Sequence, residues 1–269
     1  MKKLIALTII MALFLCGCGA QEVPVQQTEP VIQTEPVEVP TEAPTEANAE
    51  ETEAPEVGLR VEDRYSEEFD HPSGEGKFCV HIPQFVLDGN RELTINGKIH
   101  NDHMSKIHKN GQIGVPTVSV AYAVGQTEEF ASVITCFSQL DYDAVEYSVF
   151  NVSVSSGKEV TDEQLLAAFG YTRDSFFKTV RDVMEKQFAL DNSAARESLG
   201  EEAYQEALAE HLSKENITGA KPFIDEAGQL CFAVKCYTFA GAGYYYTRIC
   251  LDNPARYPAP QSITCAEHQ

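Results

Sequence analysis

Three histidines fall close together in this chain, His100, His103 and His108, with Asp102 among them. Imidazole nitrogens and carboxylates ligate metals, and residues three apart on a helix share a face, so His100 and His103 are the pair that could reach one ion. His103, however, continues the apolar series Ile95, Ile99 and Ile107. A histidine on such a stripe is expected to be half-buried and hydrogen-bonded, and His108 points off to the side. No metal and no other cofactor is assigned.

Sulfur is the second candidate chemistry. Beyond the N-terminal region lie Cys79, Cys136, Cys231, Cys236, Cys250 and Cys265, with no CxxC pair to suggest a zinc knuckle or a thioredoxin-like site. Cys231 and Cys236 sit in one strand-like run, roughly 16 Å apart at about 3.3 Å per residue, too far to bridge. If residues 239–242 form the loop of a hairpin, Cys231 faces Cys250. A disulfide there is one expectation; small buried hydrophobes are the other. Tyr244 and Tyr246 share a side of the second strand, while Tyr245 takes the opposite side. They are candidate ligand contacts, with core packing as the alternative. Gly241-x-Gly243 has neither a lysine nor a helix start after it, so it reads as a turn rather than a phosphate loop. No serine sits in a GxSxG elbow, and 41 acidic residues make paired carboxylates uninformative, so no catalytic residue is assigned.

The elements that would hold these residues follow from periodicity. A strand-like run from Phe78 to Val86, interrupted by Pro83, suits a sheet edge. A helix carries Leu93, Ile95, Ile99, His103 and Ile107 and stops near Asn110-Gly111. Val118–Val124 alternates, Phe130–Ser138 is more continuously apolar, and Val145–Ser155 alternates again. Thr161 opens a short helix with Gln164 completing a capping box, Gly170 closes it, and Thr172 caps the next. In that second helix Phe176, Val180, Val183, Met184 and Phe188 form one stripe fit to lie on a sheet. A third helical stretch, Ala194–Leu212, is interrupted by Gly200, and Leu230–Tyr237 with Tyr244–Leu251 reads as a hairpin. Strands, then helices, then strands predict an α+β fold: an antiparallel sheet with helices packed on one face, preceded by a small strand-helix-strand subdomain.

The N-terminus is an address. Met1-Lys2-Lys3 is basic and Leu4–Leu15 is an apolar run too short to span a bilayer. Leu15-Cys16-Gly17-Cys18 follows, with an aliphatic residue at −3 and a small one at −1 relative to Cys18. This resembles a bacterial lipobox, which makes residues 1–17 a lipoprotein signal peptide and Cys18 the diacylated and palmitate-bearing anchor. Cys16 would put Leu15 at −1 and is rejected. From Gln21 to Val57 there are ten glutamates, six prolines and no lysine or arginine. Thr-Glu-Pro units recur at Thr28 and Thr34, and residues 18–57 read as a disordered acidic tether, reaching up to the order of 100 Å. The whole chain carries a formal −21, and residues 58–269, with 18 basic and 31 acidic residues, keep −13 of it. Such a balance argues against nucleic acid and favours basic partners.

Two passages carry a resemblance. Tyr147-Ser148-Val149-Phe150-Asn151 with Gly157-Lys158-Glu159-Val160 and Leu165-Leu166 is one; Gly228-Gln229-Leu230-Cys231-Phe232 with Ala240-Gly241-Ala242-Gly243-Tyr244-Tyr245 is the other. Both are similar to the RsiV-like extracytoplasmic domain of unknown function, found in lysozyme-sensing anti-sigma factors and ahead of peptidoglycan deacetylase domains. The Ile95-Asn96 helix and its flanks resemble the companion subdomain. The resemblance covers roughly residues 75–252 and implies an RsiV-like domain over 58–252, divided near 140/141 into N- and C-terminal subdomains, with a loose tail at 253–269. With a lipobox at residue 18 in place of a cytoplasmic segment, and Gln269 in place of a following catalytic domain, the expectation is a stand-alone lipoprotein. It would face outward from the cell membrane on a lipid anchor, as a non-catalytic binding or sensing module. Its expected ligand is an envelope component or a basic extracellular protein such as lysozyme. A cell-wall-modifying hydrolase and a structural or assembly lipoprotein are the alternatives.

Replacement of Cys18 by serine should move the chain from the membrane to the soluble fraction, and globomycin should hold the unaltered chain at precursor mass. Membrane fractionation and mass spectrometry check both outcomes.

Overall fold

Leu59, Val61, Tyr65 and Phe69 sit among charged neighbours and form, with them, a strand that the charge-rich sequence conceals: β1, Leu59–Asp70. The computed structural model describes residues 57–70, 77–110, 118–139, 145–237 and 244–254, all within one compact unit, Thr52–Gln269. The lipobox with Cys18, the acidic tether as far as residue 56, the Ala240–Gly243 turn, Cys265 and the tail beyond 254 lie outside the described residues. Among the described residues no helix is long and apolar enough to cross a membrane.

β1 pairs antiparallel with β2 (Lys77–Leu87), and the register slips between Asp63 and Tyr65, opposite Pro83 and Ile82. Pro83 has no N–H to give the ladder, so the bulge falls where a hydrogen bond was already impossible. The expectation that Pro83 marks an edge strand is corrected: β2 lies between β1 and β3, and β1 is the edge. Proline is tolerated there because, among the described residues, the β2–β3 ladder pairs only Val80 with Val120 and does not involve residue 83. Helix α1 (Thr94–Asn110) crosses from β2 to β3 (Val118–Gln126), making that pair parallel. β4 (Phe130–Gln139) and β5 (Val145–Ser153) complete a five-stranded sheet in sequence order. The strand-helix-strand unit is therefore part of this sheet, and the division expected near residue 140 runs through the β4–β5 ladder.

The remaining strands, β6 (Lys221–Ile224), β7 (Leu230–Tyr237) and β8 (Tyr244–Cys250), form a second, antiparallel sheet. Its helices are α2 (Asp162–Ala168), α3 (Arg173–Asp191), α4 (Ser193–Leu199), α5 (Glu201–His211) and α6 (Lys214–Thr218). The Thr161–Gln164 capping box is present, and Thr172 is boxed by Ser175. Such caps contribute about 1 kcal/mol each. Phe176, Val180, Val183, Met184 and Phe188 are all buried. They meet Phe232, Val234, Cys236 and Ile249 from β7 and β8. On the far side, Ile95 and Ile99 of α1 cover Val80, Val120, Val133 and Val152 of the larger sheet. Between the sheets lie Ala121, Ile134, Cys136, Phe223, Cys231, Ala233 and Cys250. The protein is α+β, but with helices on two outer faces and two sheets back to back.

Polar contacts add to this apolar layer where the sheets meet. The free edge of β6 is met by side chains of the other sheet. Ser132 Oγ donates to Asn151 Oδ1 at 2.6 Å and accepts from Ile224 N at 2.8 Å. Asn151 Nδ2 donates to Pro222 O at 3.0 Å. Gly125 lies beside this join, and a Cβ there would overlap the carbonyl oxygens of Ile224 and Asp225. Gly97, on the exposed side of α1, has open space around it.

Two alanine substitutions should therefore act in opposite directions. Gly125→Ala should lower the unfolding free energy by several kcal/mol, of the order seen for overpacked cores. Gly97→Ala should raise it by about 0.5–1 kcal/mol through helix propensity. Urea unfolding of the two variants checks the signs.

Candidate functional site

β7 and β8 alternate, so Cys231, Ala233, Lys235 and Tyr237 share a face with their partners Cys250, Arg248, Tyr246 and Tyr244. That face looks toward the five-stranded sheet. It is closed at one end, where Cys231 and Cys250 are fully buried, and open at the other, where Tyr244 is 45% exposed. The opening is a cavity of about 350 Å³. Tyr147 of β5 forms one wall, Lys235, Tyr237 and Tyr246 another, and Ser213, Asn216 and Gly219 around α6 a third, with Glu215 and Lys221 also lining it.

Several interactions fix this cavity. Asn216, buried, donates through Nδ2 to His211 O at 2.7 Å and to Lys235 O at 2.8 Å, tying α6 to β7. Tyr237 N donates to His211 Nδ1 at 3.1 Å, so Nδ1 is the unprotonated nitrogen, and Nε2–H donates to Met184 O at 3.3 Å. The Lys235 ammonium lies 3.8 Å from the centre of the Tyr244 ring and 5.3 Å from that of Tyr237. Cation–π contacts of this kind hold a charge without neutralising it. Burial pulls the pKa of Lys235 down, but the neighbouring phenols of Tyr237, Tyr246 and Tyr244 outweigh it and hold the group above its usual value. Burial likewise raises Tyr246.

The sequence-derived candidates are distributed as follows. Tyr246 lines the cavity; Tyr244 does not, and instead lies against Lys235 and, edge-on at 5.9 Å, against Tyr246. Tyr245 turns to the helices, its hydroxyl donating to Asp191 at 3.3 Å. Cys231 and Cys250 form a disulfide at the closed end. Asp225 is buried beside it, with Oδ2 at 3.4 and 3.2 Å from the two sulfurs and Oδ1 accepting from Ala227 N and Gln229 N at 2.9 Å. This trio is the one grouping of metal-ligand type among the described residues. Bridged sulfurs are not thiolates, so the oxidised pair offers a metal no thiolate ligand. Cys136 and Cys236 are buried, and burial pushes the Cys236 thiol up to about 12.

His103 is fully buried, with Nδ1–H donating to Ile99 O at 2.7 Å and Nε2 meeting Thr135 Oγ1 at 2.8 Å. Both nitrogens are engaged, so it does not join His100 around an ion. Nearby, Ser148 Oγ donates to Asp102 at 3.0 Å and accepts from Lys106 at 3.1 Å. This resembles a nucleophile with its base, yet Asp102, despite partial burial, is held below the usual carboxylate range by Lys106 and Ser148. A carboxylate so stabilised is a weak proton acceptor. None of these residues lines the cavity.

Sequence reading missed Lys235, Tyr237, Asn216 and His211. The two strand residues were detectable, since they continue the alternation begun at Cys231. Asn216 and His211 come together only through tertiary packing. No family model matches the chain, and a search of curated proteins finds no match.

His211 supplies a pH test. Burial depresses it from 6.5 to about 4. The unfolded chain then takes up the proton first, so its contribution is intact at pH 7 and is lost as pH falls from about 6.5 toward 4. The loss should be of the order of 3 kcal/mol. Urea unfolding across this range should show a smaller pH dependence in His211→Gln than in the wild type.

Proposed function

We propose that this chain is a lipid-anchored, extracytoplasmic binding module of the RsiV-like kind, which takes an envelope component in the cavity between β5, β7, β8 and α6. The observation that carries this reading is the cavity itself: aromatic rings and fixed polar groups converge on a concave space at the open end of two packed sheets. Its volume is near the lower bound of small-ligand sites, about 300–1,000 Å³. The ring of Tyr246 is the anchor, Asn216 and His211 hold the strand that bears Lys235 and Tyr237, and a tether ending in acylated Cys18 would place the cavity outside the membrane.

A second reading has its own support. Asp182 and Glu185 on α3 and Glu202, Glu206 and Glu210 on α5 are exposed, on a chain of formal charge −21. A basic extracellular protein such as lysozyme would meet that charge and leave the cavity untouched.

Co-sedimentation of the Cys18→Ser chain, which lacks the lipid anchor, with isolated cell envelope separates the two. The cavity reading expects binding that survives moderate salt and weakens roughly tenfold in Tyr246→Ala. Binding to lysozyme that collapses with salt and ignores Tyr246→Ala supports the second reading; no binding to either rejects both.

A further inference from the structure

Lys235 differs from several other lysines of the chain in what it meets. Lys221 pairs with Asp162 at 3.6 Å, Lys98 with Glu159, and Lys106 with Asp102 at 3.2 Å. No carboxylate among the described residues lies within ion-pair distance of Lys235. Its neighbours are instead the ring faces of Tyr244 and Tyr237 and the Tyr237 hydroxyl at 3.5 Å. In a chain with 41 acidic against 20 basic residues, an ammonium held against ring faces, with no carboxylate beside it, is a site kept for an anion from elsewhere. The faces of Tyr244 and Tyr237 are occupied by that ammonium, which leaves Tyr246 and Tyr147 as the rings offered to the cavity. Around them stand Ser213, Glu215, Asn216 and Lys221, a mixed set of donors and acceptors.

Resting on the proposed cavity-binding function, and deepening it, we infer that the ligand is an anionic sugar, with its carboxylate or phosphate on Lys235 and the C–H face of its ring on Tyr246. A ring carrying many hydroxyls and one charge matches each part of the lining. The aromatic rings take the apolar face, the rim takes hydroxyls, and Lys235 takes the anion. An uncharged sugar would leave the ammonium without its counter-ion. A purely apolar ligand would strip water from the rim groups without replacing their hydrogen bonds.

Calorimetry on the full-length chain in detergent, with glucose, glucuronic acid and glucose 6-phosphate as probes, tests this. At low salt, at least one charged sugar should bind tenfold or more tighter than glucose. Glucuronate ahead of the phosphate assigns a carboxylated sugar, and the reverse order a sugar phosphate. Lys235→Gln should bring the charged sugars down to the level of glucose, Lys235→Arg should recover most of the preference, and Tyr246→Ala should weaken all three. Circular dichroism melting establishes that each variant is folded before its affinity is counted. Charged and neutral sugars bound alike, a preference that survives Lys235→Gln, or no binding of any of the three overturns the inference. If envelope binding nevertheless persists and still depends on Tyr246, only the ligand class falls and the cavity reading stands.

Discussion

A single serine hydroxyl governs how the two sheets meet. Ser132 Oγ gives its proton to Asn151 and receives one from the backbone of Ile224, while Asn151 reaches on to Pro222 O. Together the two side chains stand in for the missing neighbour of β6. Left unpaired at this depth, each of those backbone groups would cost about 1–3 kcal/mol. The join also sets distance: sheets held this closely at β6 leave no room for a side chain at position 125, hence the glycine. The join lies toward the disulfide end, and the cavity opens at the other end of the same face, beside Tyr237 and Tyr246.

The chemistry of the face follows the same gradient. Where the sheets touch, it carries Ala233, Cys231, Cys250 and Arg248, all buried. At the open end, it carries Lys235, Tyr237, Tyr246 and Tyr244, side chains with an apolar body and a polar tip. Helices on the other side of the three-stranded sheet reach through to hold this open end. His211 fixes the backbone of Tyr237 and Asn216 that of Lys235, so the positions of the two residues are set from α5 and α6 rather than by their own strand.

Much of the framework was legible in the chain because local rules and tertiary packing agree there. The α3 stripe, the Thr161 and Thr172 caps and the interruption at Gly200 all appear where periodicity and capping chemistry place them. β1 was not legible, since Glu62, Asp63, Arg64, Glu67 and Glu68 obscure its alternation and its pairing with β2 is non-local. β6 has only four residues, too few for a period to show, and its stability comes from β7 and from Ser132 and Asn151. The site divides in the same way. Tyr246 could be proposed from strand parity, whereas the Lys235–Tyr244 contact needs the cross-strand register, and Asn216 and His211 need the packed helices.

The disulfide has a topological consequence. Cys231 and Cys250 are 19 residues apart, so bonding them makes β7, β8 and the segment between them a covalent macrocycle. Lys235, Tyr237, Tyr244 and Tyr246 all belong to that ring. One protease nick inside it would open the circle without detaching either strand, because each fragment would remain shackled through sulfur at the closed end. The half of the cavity wall that lies on this hairpin would therefore outlast a cut that would shed an unlinked one.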